Sequence, residues 1–87
     1  MPTQKVNAIA IDPVTPQNVY LASPHGLFRS TDGGVTLNKI DVELSAEPLG
    51  LTLNPSAPSM LFVLLADGTL MLSDDGGETW TTVDANQ

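Results

Sequence analysis

The chain is built from short apolar stretches that are separated by Gly, Pro, Asn and Asp. None of these stretches shows a sustained period of about 3.6 residues, which an amphipathic helix would need. Most of them are rich in β-branched or large apolar residues, a composition typical of strands. The pattern therefore predicts an all-β protein.

Turn residues divide the chain into eight predicted strands, which we letter A to D in each half. The pairs Asp12-Pro13 and Asn54-Pro55 each end a strand A, because proline cannot donate to a strand ladder. Gly26 and Gly68 lie in tight turns between strands B and C. The predicted strands are 7–11, 19–22, 27–30 and 37–42 in the first half, and 49–53, 60–65, 69–73 and 80–84 in the second.

The strands nearest the start of each half are apolar on both faces. Strand B of the second half reads MLFVLL over residues 60–65, and a strand of this kind expects cover on both sides. Strand D is more polar in both halves, as is usual at a sheet edge that meets solvent. We therefore expect each sheet to be packed between two neighbours.

The two halves of the chain are copies of each other. Residues 73–80, SDDGGETW, repeat residues 30–37, STDGGVTL, at a distance of 43 positions. Residues 48–55, PLGLTLNP, repeat residues 6–13, VNAIAIDP, at a distance of 42 positions. A period in the low forties is the size of one four-stranded β-propeller blade. The repeat predicts one two-blade unit over residues 1–87, with blade 1 at about 4–44 and blade 2 at about 47–87.

The two glycine-rich copies match a known turn motif with the pattern Ser-x-Asp-x-Gly-x-Thr-Trp. The residues that match are Ser73, Asp75, Gly77, Thr79 and Trp80 in the second copy and Ser30, Asp32, Gly34 and Thr36 in the first, where Leu37 replaces the tryptophan. Over nearly its whole length the chain resembles the Asp box, or bacterial neuraminidase repeat (BNR), family of β-propellers. The resemblance implies a hairpin turn between strands C and D at the outer end of each blade.

The chemistry of these residues favours a structural turn over a reactive site. An Asp at the start of a glycine-rich turn can accept hydrogen bonds from nearby backbone N–H groups, and its glycines can take positive φ. We therefore interpret Asp32 and Asp75 as turn-forming residues. Trp80 is expected to pack over its own hairpin, since a strand-borne aromatic beside apolar neighbours usually belongs to the core.

The charge of the chain limits the partners it can bind. Ten acidic and three basic residues give a formal charge of −7, which repels phosphate backbones, so nucleic acid is not expected as a partner. No apolar run approaches the roughly 18 residues of a membrane span, and no signal peptide is visible. We expect a soluble protein without a membrane partner, and its localisation stays open.

Metals and cofactors are not expected either. The chain has no cysteine and one histidine. Asp74, Asp75 and Glu78 lack the alternating spacing of a calcium-binding loop. We predict neither a metal nor a cofactor.

Relatives of the Asp box family include glycosidases, so catalysis must be considered. Sialidases of the family hold the carboxylate of the substrate with three arginines and use a tyrosine as nucleophile. This chain has Arg29 alone, and its Tyr20 lies in a predicted buried strand. We therefore reject sialidase activity. A two-carboxylate glycosidase needs acids that face each other across a cleft, one of them with a raised pKa. We see no apolar cluster around an acid that would raise its pKa. The candidate acids outside the boxes are Asp12, Asp41, Glu43, Glu47, Asp67 and Asp84.

Two blades leave one apolar face on each blade open, and such surface usually marks an interface. A chain of 87 residues without disulfides also has a marginal core, which association would support. We predict a cyclic homo-oligomer, in which three copies give six blades or four copies give eight. The interface candidates are Ile9, Ile11, Leu51, Leu53, Phe62 and Leu64. A cut fragment of a larger protein and a two-sheet sandwich remain as alternatives.

For the function, the sequence favours a non-catalytic, self-assembling module with a structural or interaction role, natural or engineered. The predicted loops at 14–17, 45–47 and 56–59 lack the exposed aromatics that usually anchor a sugar or a protein partner. The alternative is a carbohydrate-binding or glycoside hydrolase-like propeller fragment. A glycan or protein ligand on the ring face therefore stays open.

Overall fold

A computed structural model describes residues 6–83, which form two four-stranded antiparallel sheets. Sheet A contains β1 (Ala8–Ile11), β2 (Val19–Ser23), β3 (Gly26–Ser30) and β4 (Asn38–Lys39). Sheet B contains β5 (Pro48–Asn54), β6 (Ala57–Leu65), β7 (Leu70–Ser73) and β8 (Thr81–Val83). The strands of each sheet lie side by side in chain order, and residues 6–83 contain no helix that could cross a membrane. The predicted all-β class with two four-stranded antiparallel sheets is confirmed.

The pairing register places one set of side chains of sheet A on a common face. Ala8 pairs with Ala22, and Ala10 pairs with Tyr20. Leu27 lies opposite Ala22 on the next strand, so it joins the same face. We call this the inner face of sheet A, because it packs against sheet B.

Sheet B has a matching inner face. Leu51 pairs with Val63 and Leu53 with Leu61, and Met71 lies opposite Val63. This face contacts the inner face of sheet A through both β1 and β2. The core of the molecule therefore lies between the two sheets.

Two clusters of buried side chains make up this core. The larger consists of Ala22, Leu27, Val63, Leu65 and Met71, and the smaller of Ala10, Tyr20 and Leu61. Half-buried Ile40, Leu51 and Trp80 contact both clusters and join them. Burial of one large apolar side chain stabilises a fold by about 1.5 to 3 kcal/mol, so this contact stabilises the described chain.

The opposite faces of the two sheets, which we call the outer faces, are apolar and exposed to solvent. On sheet A, Ile9 and Ile11 are 54% and 55% exposed, and both lie on this face. On sheet B, Leu64 is 47% exposed and Phe62 is half-buried. Four of the six predicted interface residues thus lie on the outer faces.

Leu51 and Leu53, the other two residues predicted for an interface between copies, lie elsewhere. Both contact the core between the two sheets of one chain. This corrects the expectation for these two leucines. Strand alternation shows which residues share a face, but it does not show which face meets the neighbouring sheet.

The fourth strand of sheet A is shorter than predicted, and that of sheet B begins one residue later than predicted. Strands were predicted at 37–42 and 80–84, whereas β4 covers Asn38–Lys39 and β8 covers Thr81–Val83, and Asp84 lies outside the described residues. The Ile40 N–H still donates to the Leu27 carbonyl at 2.8 Å, and beyond it the chain leaves the sheet edge. Ile40, Val42 and Leu44 pack on the core, so the last two are held by core contacts and not by strand pairing.

Candidate functional site

The first glycine-rich segment, which we call box 1 (residues 30–37), forms the turn between β3 and β4. The buried Ser30 Oγ donates to Asp32 Oδ1 at 2.6 Å and accepts a hydrogen bond from the Gly34 N–H at 2.9 Å. Asp32 Oδ1 also accepts from the Thr36 N–H at 2.9 Å. The serine and the aspartate together satisfy the backbone donors of the turn, as such side chains commonly do.

The second segment, box 2 (residues 73–80), repeats this network between β7 and β8. Ser73 Oγ donates to Asp75 Oδ1 at 2.8 Å and accepts from the Gly77 N–H at 2.9 Å. Asp75 Oδ1 accepts from the Thr79 and Glu78 N–H groups at 2.9 and 3.1 Å, and Thr79 Oγ1 donates to Asp75 Oδ2. Box 2 thus keeps the bonds of box 1, adds one from the Glu78 N–H, and makes a stronger bond from its threonine hydroxyl to the aspartate.

Both boxes follow the same left-handed backbone path at their glycines. The φ angles are 77° and 97° at Gly33 and Gly34, and 76° and 97° at Gly76 and Gly77. Residues with a Cβ rarely adopt these angles. The glycine pair is therefore required by the turn itself.

The hydrogen bonds of each box hold its aspartate in the charged form. The Thr79 hydroxyl, with the Thr79 N–H and the Ser73 hydroxyl, lowers the pKa of Asp75 to about 2. The Ser30 hydroxyl and then the Thr36 N–H lower the pKa of Asp32. Both carboxylates are ionised acceptors at neutral pH, so neither has the raised pKa of a general acid.

Each box is also tied to the chain just before or within the second strand of its own sheet, Gln17 before β2 and Ser59 near the start of β6. The Gly33 N–H donates to the Gln17 carbonyl, and the Gly76 N–H donates to the Ser59 carbonyl, both at 2.9 Å. The boxes therefore sit in equivalent places in the two sheets.

Among the described residues, box 2 is covered by the other half of the chain and box 1 is not. A methyl group added at Gly77 would lie 3.2 Å from Ile40 Cδ1, which shows how closely the segment after β4 packs on this turn. Trp80 contacts both core clusters, and its Nε1 donates to the Gly77 carbonyl at 3.0 Å. At Gly33 and Gly34 an added methyl group would meet no atom within 4 Å.

Arg29 lies where box 2 meets the inner face of sheet A. Its guanidinium carbon is 6.0 Å from the centre of the Tyr20 ring, a cation–π distance, and its Nη1 is 3.8 Å from Glu78 Oε2. A methyl group at Gly76 would lie 3.6 Å from Tyr20 Oη and 3.8 Å from the guanidinium. We call this contact the inner junction. It consists of Tyr20, Arg29, Ile40, Gly76, Gly77, Glu78 and Trp80.

A groove of about 440 Å³ opens beside the inner junction. Arg29, Lys39, Asp41 and Glu78 are among the residues that line it. The Arg29 Nε is buried and has no hydrogen-bond partner among the described residues. Because two basic and two acidic residues line the groove, their charges balance, and the groove does not favour an anionic ligand over a neutral one.

The remaining candidate acids act as hydrogen-bond acceptors in turns or are exposed. Asp12 Oδ1 accepts from the Val14 and Thr15 N–H groups at 2.8 and 3.0 Å, and the bond from Thr15 is the main cause of its lowered pKa. Asn18 Nδ2 donates to Asp12 Oδ2 at 3.3 Å. Asp12 therefore closes the loop between β1 and β2.

Two further acids connect segments from the two halves of the chain. Ser45 Oγ donates to Asp67 Oδ2 at 2.7 Å, and this bond is the main cause of the lowered pKa of Asp67. Asn7 Nδ2 donates to Glu47 Oε2 at 2.7 Å. Asp41 and Glu43 are exposed. Within residues 6–83, no group of three His, Cys, Asp or Glu side chains is placed to hold a metal ion.

Comparison with solved structures identifies the architecture. An ancestral GH74 enzyme superposes on this chain with a TM-score of 0.79 at 19% identity, and the match covers 91% of this chain and 12% of that enzyme. The GH74 enzyme of Niastella koreensis gives a TM-score of 0.74 at 29% identity and covers 87% of this chain and 14% of its own. The two sheets are propeller-like blades. No family model and no curated protein matches the chain.

These matches distinguish between the alternatives that the sequence left open for the architecture. The structural similarity extends over both sheets, since it covers 91% and 87% of the chain, and it favours propeller blades over a two-sheet sandwich. The chain spans only 12% and 14% of the length of the matched enzymes. From here on, sheet A is blade 1 and sheet B is blade 2.

The inner junction was not anticipated from the sequence. Arg29 and Glu78 are far apart in the chain, and the sequence places Arg29 in a predicted strand and Glu78 in a turn, with no sign that the two meet. The repeat carried an available signal, because Glu78 and Trp80 stand in box 2 where box 1 has Val35 and Leu37. Such differences between otherwise equal turns indicate different surroundings.

Proposed function

We propose that the chain is a non-catalytic module of Asp box type whose two blades build a propeller by head-to-tail association with further copies of itself. One observation supports this proposal. The two outer faces, which are exposed in the single chain, are made of the same repeat positions as the two inner faces, which pack against each other.

The outer face of blade 1 corresponds to the inner face of blade 2. At a repeat distance of 42 positions, four apolar residues of the first face are matched by four apolar residues of the second. The pairs are Ile9 and Leu51, Ile11 and Leu53, Val19 and Leu61, and Leu21 and Val63. The members of blade 2 are packed within the chain, whereas Ile9 and Ile11 are exposed.

The outer face of blade 2 corresponds in the same way to the inner face of blade 1. Phe62 stands where blade 1 has Tyr20, and Leu64 stands where it has Ala22. An outer face of blade 1 can therefore meet an outer face of blade 2 in the arrangement that the inner faces adopt within the chain. Such a contact is head to tail, and it forms a closed ring when the rotation between copies divides a full turn.

The mass of the protein in solution tests this proposal. We expect light scattering after size exclusion, at micromolar concentration, to give three or four times the chain mass of 9.2 kDa. Ile9→Glu and Leu64→Glu each place a charge on one outer face, so each variant should shift the protein toward the monomer. Val14→Glu is the matched control, because Val14 is 73% exposed in the loop between β1 and β2 and lies on neither sheet face. A 9.2-kDa monomer up to millimolar concentration would contradict self-assembly.

A second candidate function is carbohydrate binding or hydrolysis as part of a glycoside hydrolase-like propeller. The structural similarity to GH74 enzymes favours it. A panel of neutral oligosaccharides titrated against labelled protein would support it through saturable chemical-shift changes. Hydrolysis that is lost in Glu47→Gln or Asp67→Asn would extend it to catalysis, and the absence of both signals would leave the structural role.

A further inference from the structure

Box 1 exposes two large apolar side chains that residues 6–83 do not cover. Val35 is 85% exposed and Leu37 is 44% exposed. Their counterparts in box 2 are Glu78 and Trp80, which take part in the inner junction. Box 1 therefore presents an apolar surface at the place where box 2 makes its contact with blade 1.

The outer face of blade 2, on which box 1 would dock, is also more apolar than its counterpart, the inner face of blade 1. The repeat positions of Tyr20, Arg29 and Ile40 in blade 1 are occupied in blade 2 by Phe62, Leu72 and Val83. Phe62 and Leu72 lie next to each other in the pairing register and are half-buried, as is Val83. The phenol hydroxyl and the guanidinium of the inner junction are thus replaced by apolar groups on the outer face of blade 2.

The changes on the two surfaces are complementary. In the inner junction Glu78 lies beside Arg29, with 3.8 Å between Oε2 and Nη1. Val35 takes the position of Glu78, and Leu72 takes the position of Arg29. One ion pair within the chain therefore corresponds to one apolar pair between an exposed Val35 and a half-buried Leu72.

We propose that box 1 of one copy docks on the outer face of blade 2 of a second copy, with Val35 against Leu72, in the geometry of the inner junction. This inference rests on the proposed self-assembly and adds which residues of the two copies meet. An exposed ion pair contributes little and is weakened by salt. An apolar contact gains from excluding water, which suits a junction that must offset the loss of freedom when two molecules associate.

The same residues disfavour a wrong pairing between box 1 of one copy and blade 1 of another. If box 1 of a second copy displaced box 2 from blade 1, Arg29 would face Val35 and Glu78 would lose its partner. Specificity of this kind depends on making the wrong pairing unfavourable as well as the right one favourable. The ion pair thus belongs to the contact within a chain, and the apolar pair belongs to the contact between chains.

The docking is tested by building the ion pair of the inner junction into the proposed contact between copies. Val35→Glu and Leu72→Arg are measured singly and together by light scattering and by dilution, with Val14→Glu as the control. Each single variant should raise the concentration at half-dissociation about tenfold or more, because it places an unpaired charge in an apolar contact. The double variant carries the ion pair of the inner junction, so it should recover at least part of the lost affinity, and its assembly should weaken with added salt where that of the wild type does not.

The outcomes separate this inference from the function on which it rests. A monomeric wild type overturns both. An assembled wild type with two neutral single variants overturns the docking and leaves self-assembly in place. Disruptive single variants without recovery in the double variant overturn the pairing of Val35 with Leu72. Circular dichroism of the monomeric variants checks the fold, and Val35→Glu replaces a side chain that is 85% exposed, so it leaves the fold intact.

Discussion

Gly34 and Gly77 occupy the same position in two copies of one turn, both at a φ of 97°, yet Gly34 is exposed and Gly77 is buried. Ser30 and Ser73, which make the central hydrogen bonds of the two turns, are both buried. The two boxes therefore share their internal structure and differ in what covers them. Blade 1 covers box 2, and nothing within the described chain covers box 1 in the same way.

The comparison separates two contributions to the stability of a turn. Hydrogen bonds inside the box depend on residues close together in the chain, so both copies have them. The packing of Gly77 and Trp80 depends on Ile40 and the core of the neighbouring blade, so only box 2 has it. Matched substitutions in the two boxes should therefore have unequal effects wherever they touch the packing.

Truncation of the residue that ends each box should give the largest difference. Trp80→Ala removes a ring that contacts both core clusters, and we expect it to lower the free energy of unfolding by about 3 kcal/mol. Leu37→Ala removes a side chain that is 44% exposed, and its effect on the monomer should stay below about 1 kcal/mol.

Urea denaturation of diluted, monomeric protein measures both values. The unfolding is followed by circular dichroism and not by tryptophan fluorescence, because Trp80→Ala removes the only tryptophan of the chain. Equal losses of stability would break the comparison, since they would mean that box 1 is packed as closely as box 2.

Alanine at the buried glycine comes next. Gly34→Ala and Gly77→Ala both force a Cβ into a left-handed conformation, which costs about 1 kcal/mol or more. At Gly77 the new methyl group also crowds Ile40 Cδ1 at 3.2 Å, and overpacking adds about 1 to 3 kcal/mol. The same denaturation experiment should therefore rank Gly77→Ala clearly below Gly34→Ala in stability. A smaller loss for Gly77→Ala would contradict the close packing of box 2.

Acid titration should distinguish the aspartates of the two boxes. The pKa of Asp75 is lowered from 3.8 to about 2, so its charged form is favoured in the folded state. The stability that it contributes is fully present above about pH 4 and is lost as the pH falls toward 2. Asp75→Asn should flatten the dependence of the free energy of unfolding on pH in this window. Asp32→Asn should flatten it less, because Asp75 also accepts from the Glu78 N–H, and because the threonine hydroxyl is the main cause of the lowered pKa of Asp75 but a minor one for Asp32.

Thermal or urea unfolding of the two variants between pH 2 and pH 5 provides the measurement. If Asp32→Asn flattened the profile more than Asp75→Asn, the additional and stronger bonds of box 2 would have no energetic role.

The smallest effect is expected at the ion pair of the inner junction. Glu78→Gln should lower the free energy of unfolding by no more than about 0.5 kcal/mol, since the side chain of Glu78 is 72% exposed and the pair spans 3.8 Å. Glu43→Gln, at another exposed acid, is the control. The difference between the two variants should vanish in about 1 M salt, where the Debye length falls to about 3 Å. A loss that persists in salt would show that Glu78 acts through packing.

Much of the fold could be predicted, because its hairpins are closed by residues that are near one another in the chain. Asp12 and Gly68 lie in turns as expected, Gly26 directly follows its turn as the first residue of β3, and the strands follow in the predicted order. The prediction failed at the end of strand D in the first half, where Asp41 and Val42 were expected to continue the strand. The side chain of Val42 packs on the core instead, and that contact involves residues from the other half.

The same limit applies to the candidate site. The repeat and the turn chemistry indicated both boxes, but they did not indicate that Arg29 and Glu78 meet. Likewise, alternation grouped Leu51 with Leu53 correctly and could not show that this face is covered within the chain.

The sequence by itself determined the two repeats, the turn that each box forms and the sets of residues that share a strand face. These features depend on backbone preferences, on turn hydrogen bonds and on the two-residue period of a strand, all of which act over short distances along the chain. Only the tertiary structure decided which faces meet and which box is covered. Those choices depend on how one sheet is placed against the other, and this placement is set by many contacts between residues far apart in the sequence.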